Sequence, residues 1–171
     1  TKVVANIPYN ITGPLLERLV GRLDRPVDPP YQRLVLLVQQ EVARRISAQA
    51  GQTSFSALSV RMQLLAHCQS VCPVPPRCFQ PPPKVQSEVI SLDPRPVDQR
   101  LPHKQAKQLE QLLRLAFGAR RKMVRNTLAS AAPDAGLEPW LEQAGVTPQQ
   151  RPQEIAPEQW VALAAALQPA L

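Results

Sequence analysis

The sequence predicts an α/β fold: the second half of an open sheet with helices between its strands, followed by a small all-helical module. Three observations carry this. Apolar runs of strand length alternate with stripes of helical period from Val3 to Leu92. Leu34-Val35-Leu36-Leu37-Val38 is free of polar residues, as expected of a central parallel strand covered on both faces. From about Leu101 the strand signals stop, and only helical stripes continue.

The elements follow in order. Val3-Val4-Ala5 is short, β-branched and without polar alternation, which predicts the end of a buried strand. Pro8 lacks an N–H and pushes Ile7 to an extended conformation, so the strand ends before it. Leu15, Leu16, Leu19, Val20 and Leu23 form a helical stripe behind Thr12 and Pro14, a capped start. Glu41 to Ala48 and Ser56 to Ala66 predict two more helices. Val71 to Val74 and Val85 to Leu92 predict two short strands, with Pro81-Pro82-Pro83 between them.

In the helical module, Leu109, Leu112, Leu113, Ala116 and Phe117 recur at i, i+3, i+4, i+7 and i+8. Gly118 can end that helix, and a second is expected from Ala119 to about Ala131. Pro139 to Ala144 and Pro157 to Leu167 complete the module, with Trp160, Leu163, Ala164 and Leu167 as the buried stripe of its last helix. The boundary falls between Pro94 and Pro102, dividing 1–98 from 99–171.

Composition sets the outer limits. A chain of 171 residues that is 44% hydrophobic can bury a core, which excludes wholesale disorder. No apolar run approaches the ~20 residues of a membrane helix and no signal peptide is visible. A cytoplasmic location and a monomer are the expectations. Twenty prolines are about double the usual ~5%. They cluster as Pro26-Val27-Asp28-Pro29-Pro30 and Pro73-Val74-Pro75-Pro76, which predicts rigid loops. A net charge of +7, carried by fifteen Arg and five Lys, favours a polyanionic partner.

Cys68, Cys72 and Cys78 contain no Cys-x-x-Cys pair and, with His67, match no common zinc spacing. Reduced thiols and no metal are the expectation. The six glycines (Gly13, Gly21, Gly51, Gly118, Gly136 and Gly145) include no G-x-G pair. The sheet therefore reads as lacking the opening strand and Gly-rich turn that hold a nucleotide cofactor, and the chain, which begins with Thr, reads as a fragment.

Candidate site residues stand at three places. Asn6 and Tyr9 fall at a strand's carboxyl edge, where open α/β sheets place their ligands. Phe79 lies in a proline-rich segment outside any helical stripe, either anchoring that loop or offering a stacking face. Arg114, Arg120, Arg121, Lys122 and Arg125 put five cations in one hairpin, either a solvated face or a surface that tracks phosphates.

Asn6-Ile7-Pro8-Tyr9-Asn10-Ile11-Thr12 resembles the catalytic motif of the ribosomal RNA adenine dimethyltransferases. The resemblance is to the bacterial type that dimethylates two adjacent adenines near the end of small-subunit rRNA. It extends through Leu37-Val38-Gln39-Gln40-Glu41-Val42-Ala43-Arg44-Arg45 and Leu58-Ser59-Val60. It continues through the stretch from Val74 to Ser87 and through Ala116-Phe117-Gly118-Ala119-Arg120-Arg121-Lys122-Met123-Val124-Arg125-Asn126-Thr127-Leu128. Gln40 stands where the family often has Lys, and Phe55-Ser56 where it often has Tyr-Gly.

The resemblance implies the second half of a Rossmann-like class I methyltransferase sheet, with a helical RNA-binding domain after it. It implies S-adenosyl-L-methionine as cofactor, touched here by Asn6 and otherwise by a segment this chain lacks. The chain alone is then expected to be inactive and without tight cofactor affinity. Around the target adenine it implies Asn6, Ile7, Pro8, Tyr9 and Phe79, with Tyr9 and Phe79 as stacking walls. The Asn6 amide and a carbonyl of Ile7 or Pro8 would accept the two amino hydrogens, favouring the tetrahedral nitrogen that methyl transfer needs. The five hairpin cations would meet rRNA, and the partner is the small-subunit rRNA of the immature small subunit. Two other readings stay open. One is a non-catalytic RNA-binding or ribosome-assembly module. The other is a related transferase acting on large-subunit rRNA in antibiotic resistance, or on DNA through an Asn-Pro-Pro-Tyr motif. Ile7 in place of the middle proline, with Arg120-Arg121-Lys122, argues against the last pair.

Overall fold

Four strands form one sheet in a computed structural model of the chain, which describes residues 1–25, 28 and 31–167. They are β1 (Lys2–Asn6), β2 (Arg33–Gln39), β3 (Ala66–Val74) and β4 (Ser87–Pro94), in the order β1-β2-β4-β3. β1 runs parallel to β2 with Asn6 opposite Leu37. β4 is antiparallel to both its neighbours, with Ser87 opposite Gln39 on one side and Val74 on the other. The carboxyl ends of β1, β2 and β3 therefore gather at one edge with the amino end of β4. Of the proline-rich loop at 26–30, only Asp28 lies within the described residues.

Strand burial departs from the sequence reading in three places. Leu34, Leu36 and Val38 of β2 are fully buried, but Val35 and Leu37 are half-buried, so its two faces are unequally covered. β1 is an edge strand: Val3 and Ala5 are half-buried and Val4 is 81% exposed, which corrects the expectation of a buried strand. β3 begins at Ala66, directly after a helix, and not at Val71. It is an exposed edge with a bulge between Ser70 and Cys72, and its polar, Cys-containing start carries no period-2 signal.

Helices α1 (Thr12–Val20), α2 (Gln40–Ser47) and α3 (Ala57–Leu65) connect the strands. Thr12 does not cap α1. A 3-10 turn over Tyr9–Ile11 leads into it, and the buried Thr12 hydroxyl donates back to the Tyr9 carbonyl at 3.4 Å. α3 starts as read, where the Ser56 N–H donates to Ser59 Oγ at 2.9 Å. At the sheet's far edge Arg33 grips Asp93 through two hydrogen bonds of 2.7 and 2.8 Å, which hold the Asp93 carboxyl below its ordinary range.

Four further helices follow: α4 (His103–Phe117), α5 (Val124–Thr127), α6 (Leu137–Gln143) and α7 (Pro157–Ala165). The α4 stripe is buried at Leu109, Leu112, Leu113 and Ala116, and Phe117 packs on Trp160 of α7 with ring centroids 5.8 Å apart. The Trp140 indole donates to the Leu163 carbonyl at 2.9 Å. The helix expected from Ala119 to Ala131 is instead a turn, the four-residue α5 and a 3-10 turn over Ala129–Ala131. Its starting N–H groups are taken by a distant loop: Val124 donates to the Gln150 carbonyl at 2.8 Å and Arg125 to that of Pro148 at 3.2 Å. Val124 and Leu128 still turn inward, fully buried, while Arg121, Lys122 and Arg125 are exposed.

Buried residues from both segments form one apolar cluster. Three polar ties reinforce it. Arg61 pairs with Glu110 at 2.9 Å, the Gly51 N–H donates to the Gln153 carbonyl at 2.8 Å, and Arg120 reaches back to the loop before α3. No described helix is long and apolar enough to cross a membrane.

Candidate active edge and nucleic-acid interface

The sheet edge where β1, β2 and β3 end holds the Asn6–Tyr9 turn. Asn6 is the last residue of β1 and is exposed, while Ile7 is buried and donates its N–H to the Leu37 carbonyl at 3.2 Å. Two carbonyls follow with different fates. That of Pro8 accepts the Ile11 N–H at 3.2 Å, closing the 3-10 turn, whereas no donor reaches that of Ile7 among the described residues. The Asn6 amide and the Ile7 carbonyl are thus the two acceptors this turn leaves unpaired.

Tyr9 is half-buried, and its phenol hydrogen-bonds the hydroxyl of Ser87, a fully buried residue seventy-eight positions along. Because Ser87 sits opposite Gln39 in the sheet, that bond fixes the ring over the end of β2. Ser87 has no assigned role in the sequence reading, although the block ending Lys84-Val85-Gln86-Ser87 carries it. Phe79 is half-buried after the 3-10 turn Pro76–Cys78, its N–H donating to the Pro76 carbonyl at 3.1 Å. It stands on the segment joining β3 to β4, which starts and returns at this same edge.

The five cations do not form one set. Arg114 joins Tyr9 in lining a cavity of about 430 Å³ between α1, α3 and α4, whose walls also hold the Arg61–Glu110 pair. Arg120 turns inward, donating to the carbonyls of Thr53 at 2.9 Å and Phe55 at 3.2 Å. Arg121, Lys122 and Arg125 are left as an exposed basic face of the hairpin. The signal for Arg120's contact is absent from the sequence, since its acceptors are backbone atoms more than sixty residues away.

Among the described residues, no three His, Cys, Asp or Glu side chains group as a metal-binding set. Burial pushes the Cys68 thiol up to about 12, with its sulfur 3.5 Å from the Met62 and Ala66 carbonyls, while Cys72 and Cys78 are exposed. Titration with an aromatic disulfide at pH 8 should therefore show two fast thiols per chain, with Cys68 lagging by orders of magnitude. Three fast thiols would mean that the strand carrying Cys68 opens readily.

The glycines with positive φ are Gly21, Gly51, Gly136 and Gly145, and none of them follows a strand. Among the described residues, no glycine-rich turn follows a strand.

The chain is similar to known proteins over nearly its whole length. The chain is 88% identical, over all 171 residues, to ribosomal RNA small subunit methyltransferase A of Synechococcus sp. (strain RCC307), covering 62% of that protein. It is 71% identical over 167 residues, 98% of its length, to the protein of that name from Parasynechococcus marenigrum (strain WH8102), covering 55% of it. The chain thus spans little more than half the length of these curated relatives. Among solved structures, 23S rRNA methyltransferase ErmE matches at a TM-score of 0.71 and 26% identity, over 97% of this chain and 64% of that one. A dimethyladenosine transferase from Plasmodium falciparum matches at 0.73 and 24% identity, over 95% and 64%, which shows likeness of fold. A family model described as ribosomal RNA adenine dimethylase matches residues 1–168, and the chain belongs to that family.

Proposed function

We propose that the chain is the carboxyl-terminal part of an rRNA adenine dimethyltransferase that uses S-adenosylmethionine. Its substrate is the exocyclic amine of two adjacent adenines in small-subunit rRNA, presented on the immature small subunit. On this reading residues 1–98 are the second half of the catalytic sheet, and 99–171 are the helical RNA-binding domain. The free edge of β1, with Val4 exposed, is where the opening strands and the cofactor cradle would pair.

The observation that carries the proposal is the pair of unpaired acceptors, the Asn6 amide and the Ile7 carbonyl, beside a tethered phenol. An adenine amino group is a poor nucleophile because its lone pair is delocalised into the ring. Two acceptors on its hydrogens turn that lone pair outward, a positional gain worth several kcal/mol of the barrier, on the order of 7–11 at the upper end. Tyr9 stacks on a base that is flipped out or already single-stranded, and Phe79 supplies the second wall. The described residues do not form a cradle for the methyl donor, so their part in the reaction is to hold and orient the base.

The direct test is methylation of immature small subunits by the longer protein, read as dimethyladenine in the rRNA, against this chain alone. Absence of product from the longer protein would sink the enzyme reading in favour of a non-catalytic assembly module. Tyr9 variants refine it. Tyr9→Ala should lose a stack of roughly 1–3 kcal/mol, weakening base capture about 5- to 150-fold. Tyr9→Phe keeps the stack and loses only the Ser87 bond, about 1 kcal/mol, so it should retain most activity. Equal loss in both variants would mean that the hydroxyl, and not the ring, matters.

A further inference from the structure

A second concave surface adjoins the active edge and has no part in the base-holding described above. It encloses about 460 Å³ and is lined by Gln40, Arg44, Arg45, Ser54, Gln86 and Arg120 among others. It begins where Gln39, another lining residue, sits opposite Ser87, the residue that tethers Tyr9. It ends at Arg120, next in sequence to the outward cations Arg121 and Lys122. The groove therefore lies between the residue pair that tethers Tyr9 and the start of the basic hairpin.

Its chemistry is selective. Three guanidinium groups face one lining carboxylate, Glu41, and Arg45 of the same helix pairs with it. Val85 is the one aliphatic side chain on its walls, so an apolar ligand would find little to bury against. Gln40, Ser54 and Gln86 add neutral donors suited to phosphate oxygens. The first N–H of α2 is not one of the donors, because Gln40 already gives it to the Gln86 carbonyl at 2.9 Å. Arg120 shapes the wall by holding the 53–55 backbone, while the exposed Arg44 has no carboxylate or carbonyl partner among the described residues.

We propose that this groove takes the phosphodiester backbone of single-stranded RNA beside the flipped nucleotide, with Arg44 as the phosphate ligand and Arg120 as a positioning residue. The inference rests on the RNA-directed reading above and adds to it the path by which the strand leaves the base pocket. A bent, unpaired strand fits that path, because its phosphates stay in the groove while the base swings to Tyr9.

The test is the salt dependence of binding of a labelled single-stranded RNA dodecamer to the longer protein, by fluorescence anisotropy across a potassium chloride series. Arg44→Ala should flatten the slope of log affinity against log salt by about 0.7, the value for one phosphate contact on a single strand. Arg44→Lys should restore the slope. Arg33→Ala removes the same formal charge roughly 20 Å away, at the other end of β2, and should keep the parental slope. Arg44 is exposed, so unchanged melting temperatures are expected and serve as the check on folding. If Arg44→Ala and Arg33→Ala give equal slopes, the groove proposal is overturned and the RNA-directed reading stands. If the parental longer protein binds no RNA even at low salt, both fall.

Discussion

Asn6→Ala in the longer protein is expected to lower single-turnover methyl transfer about a hundred- to a thousand-fold, with RNA affinity within about twofold of parental. The asymmetry comes from where the amide acts. Asn6 is exposed at the end of β1 and supports no core, so its loss leaves the sheet intact. On the proposed function, one amide on one base adds little to a surface held by many phosphate contacts. Its worth appears as the target nitrogen becomes tetrahedral, and such interactions show in turnover and not in binding. Asn6→Asp should also fail, since a carboxylate keeps an acceptor but brings a charge to the edge at which the proposed function places the RNA. Near-parental turnover in Asn6→Ala would reduce Asn6 to a turn residue, and the Ile7 carbonyl would then have no partner in orienting the amine.

Trp160→Ala should give the largest loss of stability, about 3–5 kcal/mol. The side chain is fully buried on α7 and packs on Phe117, so its removal opens a cavity where α7 meets α4. For a chain of this length that corresponds to a fall in melting temperature of roughly 6–20 °C. Trp160→Phe should cost much less, because the indole N–H has no hydrogen-bond partner among the described residues and only area is lost. Trp140→Phe is the contrast, since its N–H donates to the Leu163 carbonyl at 2.9 Å and that carbonyl would be left bare. Calorimetric melts of the three variants decide the matter; a Trp160→Ala melt within 2 °C of parental would mean that α7 contributes little to the fold.

How far these features are legible in the sequence depends on how local their causes are. β2 and α4 show plainly, because an apolar run and a 3.6-residue stripe are written in consecutive residues. The start of β3 does not show. Leu65 ends a helix, Ala66 begins a strand, and no glycine or proline marks the change. The broken helix after Gly118 is invisible for a different reason: its capping carbonyls come from Pro148 and Gln150, beyond any local window. The candidate edge divides in the same way. The Asn6–Tyr9 turn is readable from its proline and its place after a strand. The Tyr9–Ser87 bond and the inward turn of Arg120 are tertiary facts between residues more than sixty positions apart. A count of cations could flag Arg120 but not tell it from Arg121.

The strand order has a consequence for synthesis. β4 lies between β2 and β3 yet follows both in the chain, so each of them leaves the ribosome without its partner. At roughly 5–20 residues per second, the ~55 residues from Gln39 to Pro94 take about 3–11 s. For that interval Leu34 to Val38, the most apolar run in the chain, has an open side with unmet backbone donors and acceptors. Mutations that delay β4, even ones harmless to the finished sheet, should therefore surface as aggregation of nascent chains at a fast growth temperature, with no matching change in the melting point of the purified protein.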